Sequence, residues 1–264
     1  MVPCPQPLGF CTVLLVVRII KLVLAYDGTD YVGWQRQSNG VSIQALVEDA
    51  IAPIEGRPVS VVGAGRTDAG VHAIAQVASV SLESPIDPAA LMRALNTTLP
   101  ADVRVRAASE APPDFHARFS ARSKKYRYDI RNASWVSPFE RRYVWHVPQP
   151  LDDGAMAAAG ECLTGLHDFA AFRAAGSEVA TSERTIHELD VTRVEDEDGA
   201  LVTIAVEADG FLRHMVRAIA GTLVEVGLGR RDPDDVARVL ASRDRGHAGA
   251  TAPACGLFLV RVRY

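Results

Sequence analysis

Hydrophobic residues at Ile43, Leu46, Val47, Ala50 and Ile51 recur at i, i+3, i+4, i+7 and i+8, the spacing that lines one side of an amphipathic helix. Ser42 precedes them as an N-cap, because its hydroxyl can accept a backbone N–H of the first turn. Residues 18–26, RIIKLVLAY, read instead as a β-strand, and 59–62, 75–82, 103–107 and 125–130 supply further strands. Asp87 with Pro88 opens a second helix running through Leu95, by the preferences for the cap and first helical positions. From Leu151 a similar order of elements returns. It comprises a helix over 154–163, strands over 185–194 and 201–208, a helix over 211–226, another begun by Asp232 and Pro233, and a closing strand over 257–262. In the 211–226 helix, Val216, Ile219, Ala220, Leu223 and Val224 form the buried stripe. No sequence repeat accompanies this order. The pattern predicts an α+β chain of two similar α/β halves, 18–150 and 151–264, sharing one extended, mainly antiparallel central sheet flanked by helices.

Composition narrows the class without naming a function. With 264 residues, 48% hydrophobic and 23% charged, the chain reads as an ordinary soluble globular protein. The cysteines, Cys4, Cys11, Cys162 and Cys255, form no C-x-x-C pair, and the seven histidines show no metal-ligand spacing. No zinc site or disulfide framework is expected, which fits a reducing cytosol and a cytoplasmic location. Residues 1–17, MVPCPQPLGFCTVLLVV, differ in character from the rest of the chain. Their apolar stretch at 14–17 is too short to span a membrane, and no basic segment precedes it. Synthesis is therefore expected to start near Val17, with a sorting signal as the alternative.

A net charge of −4 gives no whole-chain sign of a nucleic-acid partner, but the charge is unevenly placed. Between 118 and 131, Arg118, Arg122, Lys124, Lys125, Arg127 and Arg131 stand against one acid, Asp129. Between 188 and 198 six acids stand against Arg193 alone. A concentrated basic segment can hold phosphates on an acidic protein; by itself it would equally serve as a solvated strand face.

The glycine-rich segment 63–73, GAGRTDAGVHA, fits neither common phosphate cradle. Gly63 and Gly65 begin a G-x-G-x-x-G pattern whose last position is Asp68, and Gly65 and Gly70 have P-loop spacing with Val71 and His72 where lysine and a hydroxyl residue belong. What remains is a carboxylate in a tight loop beside a cation, Arg66-Thr67-Asp68. A neighbouring positive charge keeps a carboxylate ionised, as a nucleophile or base requires. Asp68 could otherwise cap a turn, and Arg66 make a surface ion pair.

Segment 63–73 resembles the catalytic loop of the tRNA pseudouridine synthase A family along all eleven residues. Other stretches similar to that family occur at compatible spacing: YDGTDYVGWQRQ at 26–37, DFHARFSA at 114–121, KKYRY at 124–128, FLRHMVR at 211–217 and TAPACGL at 251–257. Together they cover nearly everything from Arg18 to Tyr264, and residues 1–17 carry none of them. The resemblance implies that Asp68 is the catalytic aspartate, that Tyr126 stacks on the target base, that Arg66 belongs to the catalytic motif and that Arg217 faces the carboxylate. It further implies a pseudouridine synthase fold, a homodimer, conversion of uridine to pseudouridine at positions 38, 39 and 40 of the tRNA anticodon stem-loop, and no metal or organic cofactor.

Physical requirements run the same way. A uracil in a stem must be flipped into a pocket, which needs a planar partner such as Tyr126 and cations for phosphates, for which Arg122, Lys124, Lys125 and Arg127 are candidates. Strand alternation puts Tyr126 and Tyr128 on one face and Lys125 and Arg127 on the other, so not all these cations can line one pocket. Arg213 and Arg217, four apart on the predicted helix, are expected to share a face near its positive end, with His214 a further RNA contact. A non-catalytic RNA-binding protein would use the basic and aromatic residues but not an Arg-Thr-Asp loop. A nucleotide-dependent enzyme fails on both broken phosphate templates.

Overall fold

The computed structural model describes residues 17–174, 176 and 180–264, so the expectation for 1–17 lies outside the described residues except at Val17. In β1 (Arg18–Tyr26) the alternation of side chains buries Ile20, Leu22, Leu24 and Tyr26 on one face. Against that face lie α1 (Ile43–Glu55), capped by the Ser42 hydroxyl, and later α2 (Pro88–Thr98), capped by Asp87. Between the two helices run β2 (Val61–Gly63) and β3 (His72–Leu82). The first half continues with β4 (Val103–Ala111), β5 (Ser123–Asn132) and the short β6 (Trp145–His146).

Past residue 151 come α3 (Asp153–Glu161), β7 (Gly165–Asp168), β8 (Glu183–Asp196), β9 (Gly199–Ala208), α4 (Met215–Gly227), α5 (Asp235–Ser242) and β10 (Leu257–Arg263). All ten strands form one sheet whose main path is β4-β1-β3-β10-β5-β9-β8-β7, with β2 beside β3 and β6 beside β5. Pairing is antiparallel except for β10 with β3 and β6 with β5. The last strand is inserted between two strands of the first half, and β5 pairs with β9 from Lys124–Ala208 to Asn132–Ala200. Segments 18–150 and 151–264 are thereby interlocked through a single sheet. The architecture is α+β and mainly antiparallel, as the pattern predicts. Among the described residues no helix is long and apolar enough to cross a membrane.

Two boundaries differ from expectation in ways that matter for the site, and two short strands were not expected. Strand β3 begins at His72 rather than residue 75, because His72 and Ala73 pair with β10 and close the glycine-rich loop early. Helix α4 begins at Met215 rather than 211: His214 adopts a left-handed conformation (φ 63°), which a helix interior does not permit. Arg213 therefore precedes the helix, and the expected helical i,i+4 relation with Arg217 does not form. The short β6 and β7 have too few residues to register as periodic, and pair at the sheet's margins.

Candidate active site

The loop between β2 and β3 is held from below by buried polar groups. The Tyr26 hydroxyl and Thr67 Oγ1 share a hydrogen bond of 2.8 Å, and Gln76 Nε2 donates to the Gly65 carbonyl at 2.8 Å. From above it is held by the segment after β1: Trp34 N–H donates to the Thr67 carbonyl (3.0 Å), and Gly70 N–H reaches the Tyr31 carbonyl. Gly33 allows this contact. Its φ is +104°, and a Cβ there would lie 2.5 Å from the Thr67 carbonyl oxygen. Clamped between these layers, the backbone turns at Asp68, whose carbonyl accepts Val71 N–H at 3.1 Å.

This turn presents Asp68 to a cleft of about 1090 Å³, slightly larger than the roughly 300–1,000 Å³ typical of small-ligand pockets. Across the cleft stands the first turn of α4. Arg217 Nη1 and His214 Nε2 each lie 3.6 Å from Asp68 Oδ2. Arg217 is aimed by its own Nε, which donates to the Ala252 carbonyl at 2.7 Å, while Ala252 N–H donates back to the Arg217 carbonyl. The left-handed turn that ends the expected helix early thus brings His214 to the carboxylate. Burial holds the His214 imidazole below the usual histidine range; Asp68 pulls upward, and Arg217 and Arg213 add to the depression.

Tyr126 forms the floor. Its ring is buried and meets Phe211 edge-on at 4.9 Å, and burial pushes its hydroxyl pKa up, with Tyr26 and Asp68 adding to the effect. A Cβ placed on Gly65 would touch Lys124 Cε at 3.4 Å and the Tyr126 hydroxyl at 3.9 Å, so the loop passes directly over the ends of both side chains. Lys124 is held below the usual lysine range, first by burial and then by Arg118, with Arg184 adding to this against Asp209. Among the described residues, Arg66, Arg118, Lys124, Arg184, Arg213 and Arg217 line the cleft, and Asp68 is the only carboxylate there. A protein of net charge −4 thus concentrates six cations around one acid.

Of the residues expected at the site, the fold gathers Asp68, Arg66, Lys124, Tyr126, Arg213, His214 and Arg217 around this cleft. Arg66 lies exposed at the cleft wall, and the basic side chains placed within 4 Å of Asp68 are Arg217 and His214. Alternation sends Lys125 and Arg127 to the opposite face: Lys125 Nζ donates to Glu188 at 2.8 Å, while Arg127 pairs with Asp129 and lies 5.0 Å from the Phe258 ring centre. Arg122 is exposed where β5 begins and does not line the cleft. Charge clustering in sequence had grouped residues that a period of two separates. Arg184, from β8, could not be found from sequence because nothing local marks it; the pairing of β8 with β7 and β9 brings it to the cleft.

A second buried centre anchors the loop's far end. The His72 Nδ1 accepts Gly28 N–H at 3.0 Å and lies 3.1 Å from Asp27 Oδ1, while Nε2 faces the carbonyls of Arg142 and Cys255 at 3.1 Å each. Its ring stacks on Phe258 at 4.7 Å. Burial holds this imidazole below the usual histidine range, against opposing pulls from Asp27 and both carbonyls. Among the described residues no group of three or more His, Cys, Asp or Glu is arranged to hold a metal ion.

Residues 22–120 and 159–264 match the tRNA pseudouridine synthase family. A protein named tRNA pseudouridine synthase A from Syntrophotalea carbinolica is 48% identical over 248 residues, covering 94% of this chain and 97% of that one. Similarly named proteins from Moorella thermoacetica (47% identical, covering 93% of this chain and 99% of that one) and Thermoanaerobacter sp. strain X514 (43%, covering 94% and 100%) align along nearly their whole lengths. With relatives this similar from end to end, the chain belongs to the tRNA pseudouridine synthase A family.

Proposed function

We propose that this protein isomerises uridine to pseudouridine at positions 38, 39 and 40 of the tRNA anticodon stem-loop, with Asp68 as the catalytic carboxylate. The observation that carries the reading is the pairing of one acid, Asp68, with six cations in a single cleft floored by Tyr126. The cations suit a polyanionic substrate. A base flipped out of its stack needs an aromatic surface, and Tyr126 offers one next to the loop that bears Asp68.

In the reaction the bond between N1 and C1′ breaks, the freed uracil rotates, C5 bonds to C1′, and C5 loses its proton while N1 gains one. Asp68 attacks C1′, adds to C6, or abstracts a ribose proton to give a glycal. Each route asks for an ionised carboxylate within reach of the nucleoside. Arg217 and the positive end of α4 favour that charge without a tight contact that would block it. Arg66 acts at the cleft wall, and Arg213 and His214 contact the RNA. The protein acts as a cytoplasmic homodimer, without metal or organic cofactor; the dimer rests on the family resemblance, and light scattering that found only monomer would remove it.

Asp68→Asn tests the reading because it is nearly isosteric yet cannot act as an anion. The variant is expected to fold normally, bind tRNA with near wild-type affinity and release no tritium from uridine labelled at C5. Release at the wild-type rate by a folded variant would remove Asp68 from the chemistry.

A further inference from the structure

At the mouth of the cleft an aromatic ring is held in water. Phe119 is 77% exposed and lines the cleft, one face stacked on His116 at 4.3 Å and 28°. The turn that carries it is firmly built. His116 Nδ1 accepts the N–H groups of Arg118 and Phe119 at 3.2 Å each, Ser120 N–H donates to the His116 carbonyl at 2.9 Å, and Ser120 Oγ accepts His116 N–H at 3.1 Å. The Arg118 guanidinium also lies over this ring, 5.7 Å from its centre, and most of the ring remains exposed.

A single exposed apolar residue is ordinary on any protein surface. Here the neighbours give it meaning. Arg118 and Lys124 share the cleft with Phe119, and neither has a carboxylate within ion-pairing distance among the described residues. Two cations that share a cleft without carboxylate partners can take an anion, and an exposed ring beside them matches the two parts of one nucleotide. Tyr126 is buried below, beside the end of Lys124, whereas Phe119 is exposed at the mouth, so the two rings can serve different bases.

We propose that Phe119, Arg118 and Lys124 form a second nucleotide subsite. An unstacked base of the bound RNA, next to the target uridine along the strand, lies against the exposed part of the Phe119 ring, and its phosphate is met by Arg118 and Lys124. The subsite rests on the proposed RNA reading and adds to it a means of holding the strand splayed while the target is flipped. Phe119 is a positioning residue: it touches RNA but not the reacting atoms.

The test uses the full chain and an anticodon stem-loop RNA with one uridine at the target position. Stacking predicts that Phe119→Ala and Phe119→Leu each raise Kd and KM about tenfold or more, with a smaller change in kcat, whereas Phe119→Trp binds at least as well as wild type. A 5-iodouridine placed in turn at each nucleotide flanking the target should crosslink to Phe119 from one of those positions. If Phe119→Leu binds like wild type, or if no flanking position crosslinks to Phe119, the subsite is overturned. Tritium release by the wild-type protein reports separately on the isomerase reading. Should that release fail, the binding and crosslinking results still decide the subsite.

Discussion

Arg217 Nη1 faces Asp68 Oδ2 at 3.6 Å while Nε of the same guanidinium donates to the Ala252 carbonyl at 2.7 Å. One planar fork therefore ties the loop that bears Asp68, α4 and the C-terminal segment before β10 into a single geometry. The Asp68 contact is an ion pair longer than a hydrogen bond, so the charge is supported while the oxygen stays free to react.

Arg217→Lys should separate charge from geometry. An ammonium cannot serve Ala252 and Asp68 at once as a fork does. Losing one charge-assisted hydrogen bond costs about 1.5–3 kcal/mol, so Arg217→Lys is expected to lower single-turnover tritium release at least tenfold, on the scale of about 1.4 kcal/mol per decade. Arg217→Ala should lose more. A wild-type rate in Arg217→Lys would show that the ion pair does not act on the chemistry.

Tyr126 is expected to act through its ring. Burial, not a hydrogen bond, dominates the surroundings of its hydroxyl, and the raised pKa keeps it a neutral phenol at ordinary pH. Tyr126→Phe should stay within about fivefold of wild-type turnover, the equivalent of one neutral hydrogen bond of about 1 kcal/mol. Tyr126→Ala opens a buried cavity costing about 3–5 kcal/mol of stability, so Tyr126→Leu is the cleaner removal of the ring. Folded Tyr126→Leu should bind tRNA yet lose most turnover in the tritium assay. Wild-type turnover in this variant would take Tyr126 out of the base pocket.

The site was legible in the sequence where a role is carried by a contiguous segment. Asp68 stands out in segment 63–73, and the separation of Tyr126 from Lys125 and Arg127 follows from strand alternation alone. The α+β architecture follows equally from the spacing of apolar positions. What sequence could not supply was long-range or conformational. Arg184 joins the cleft through sheet pairing, and His214 reaches Asp68 through a left-handed turn that helical periodicity reads as helix. The insertion of β10 between β3 and β5 is a matter of topology, and no local pattern encodes it.

His72 gives the fold a pH dependence with a definite sign. Its folded-state pKa is depressed by burial, so the unfolded chain takes up the proton first as pH falls below the ordinary histidine value of about 6.5. The stability contributed by the neutral ring is fully present above that value and is lost on descending toward the folded pKa. The facing groups set how far: the Asp27 carboxylate favours the charged ring, while Gly28 N–H, donating to Nδ1, favours the neutral one. Wild type should lose thermal stability between about pH 7 and 5. His72→Gln should be less stable at pH 8 but lose less over that interval. Parallel melting-temperature profiles for the two proteins would show that His72 is not the group responsible.

Lys124 and Lys125 are adjacent in sequence and opposite in space, which makes them a matched pair for locating the RNA. Lys124 lines the cleft beside Tyr126 with no ion-pair partner among the described residues, whereas Lys125 is engaged by Glu188 at 2.8 Å on the other face of the sheet. A cation that neutralises a phosphate releases a counterion, worth about 0.7–0.9 in the slope of log K against log salt. Lys124→Ala should weaken tRNA binding and flatten that slope by about this amount, while Lys125→Ala leaves the slope unchanged. Filter binding across a salt series reads both. A flattened slope in Lys125→Ala would place RNA on the far face of the sheet. An unchanged slope in Lys124→Ala would mean that the six cations of the cleft do not hold the RNA backbone.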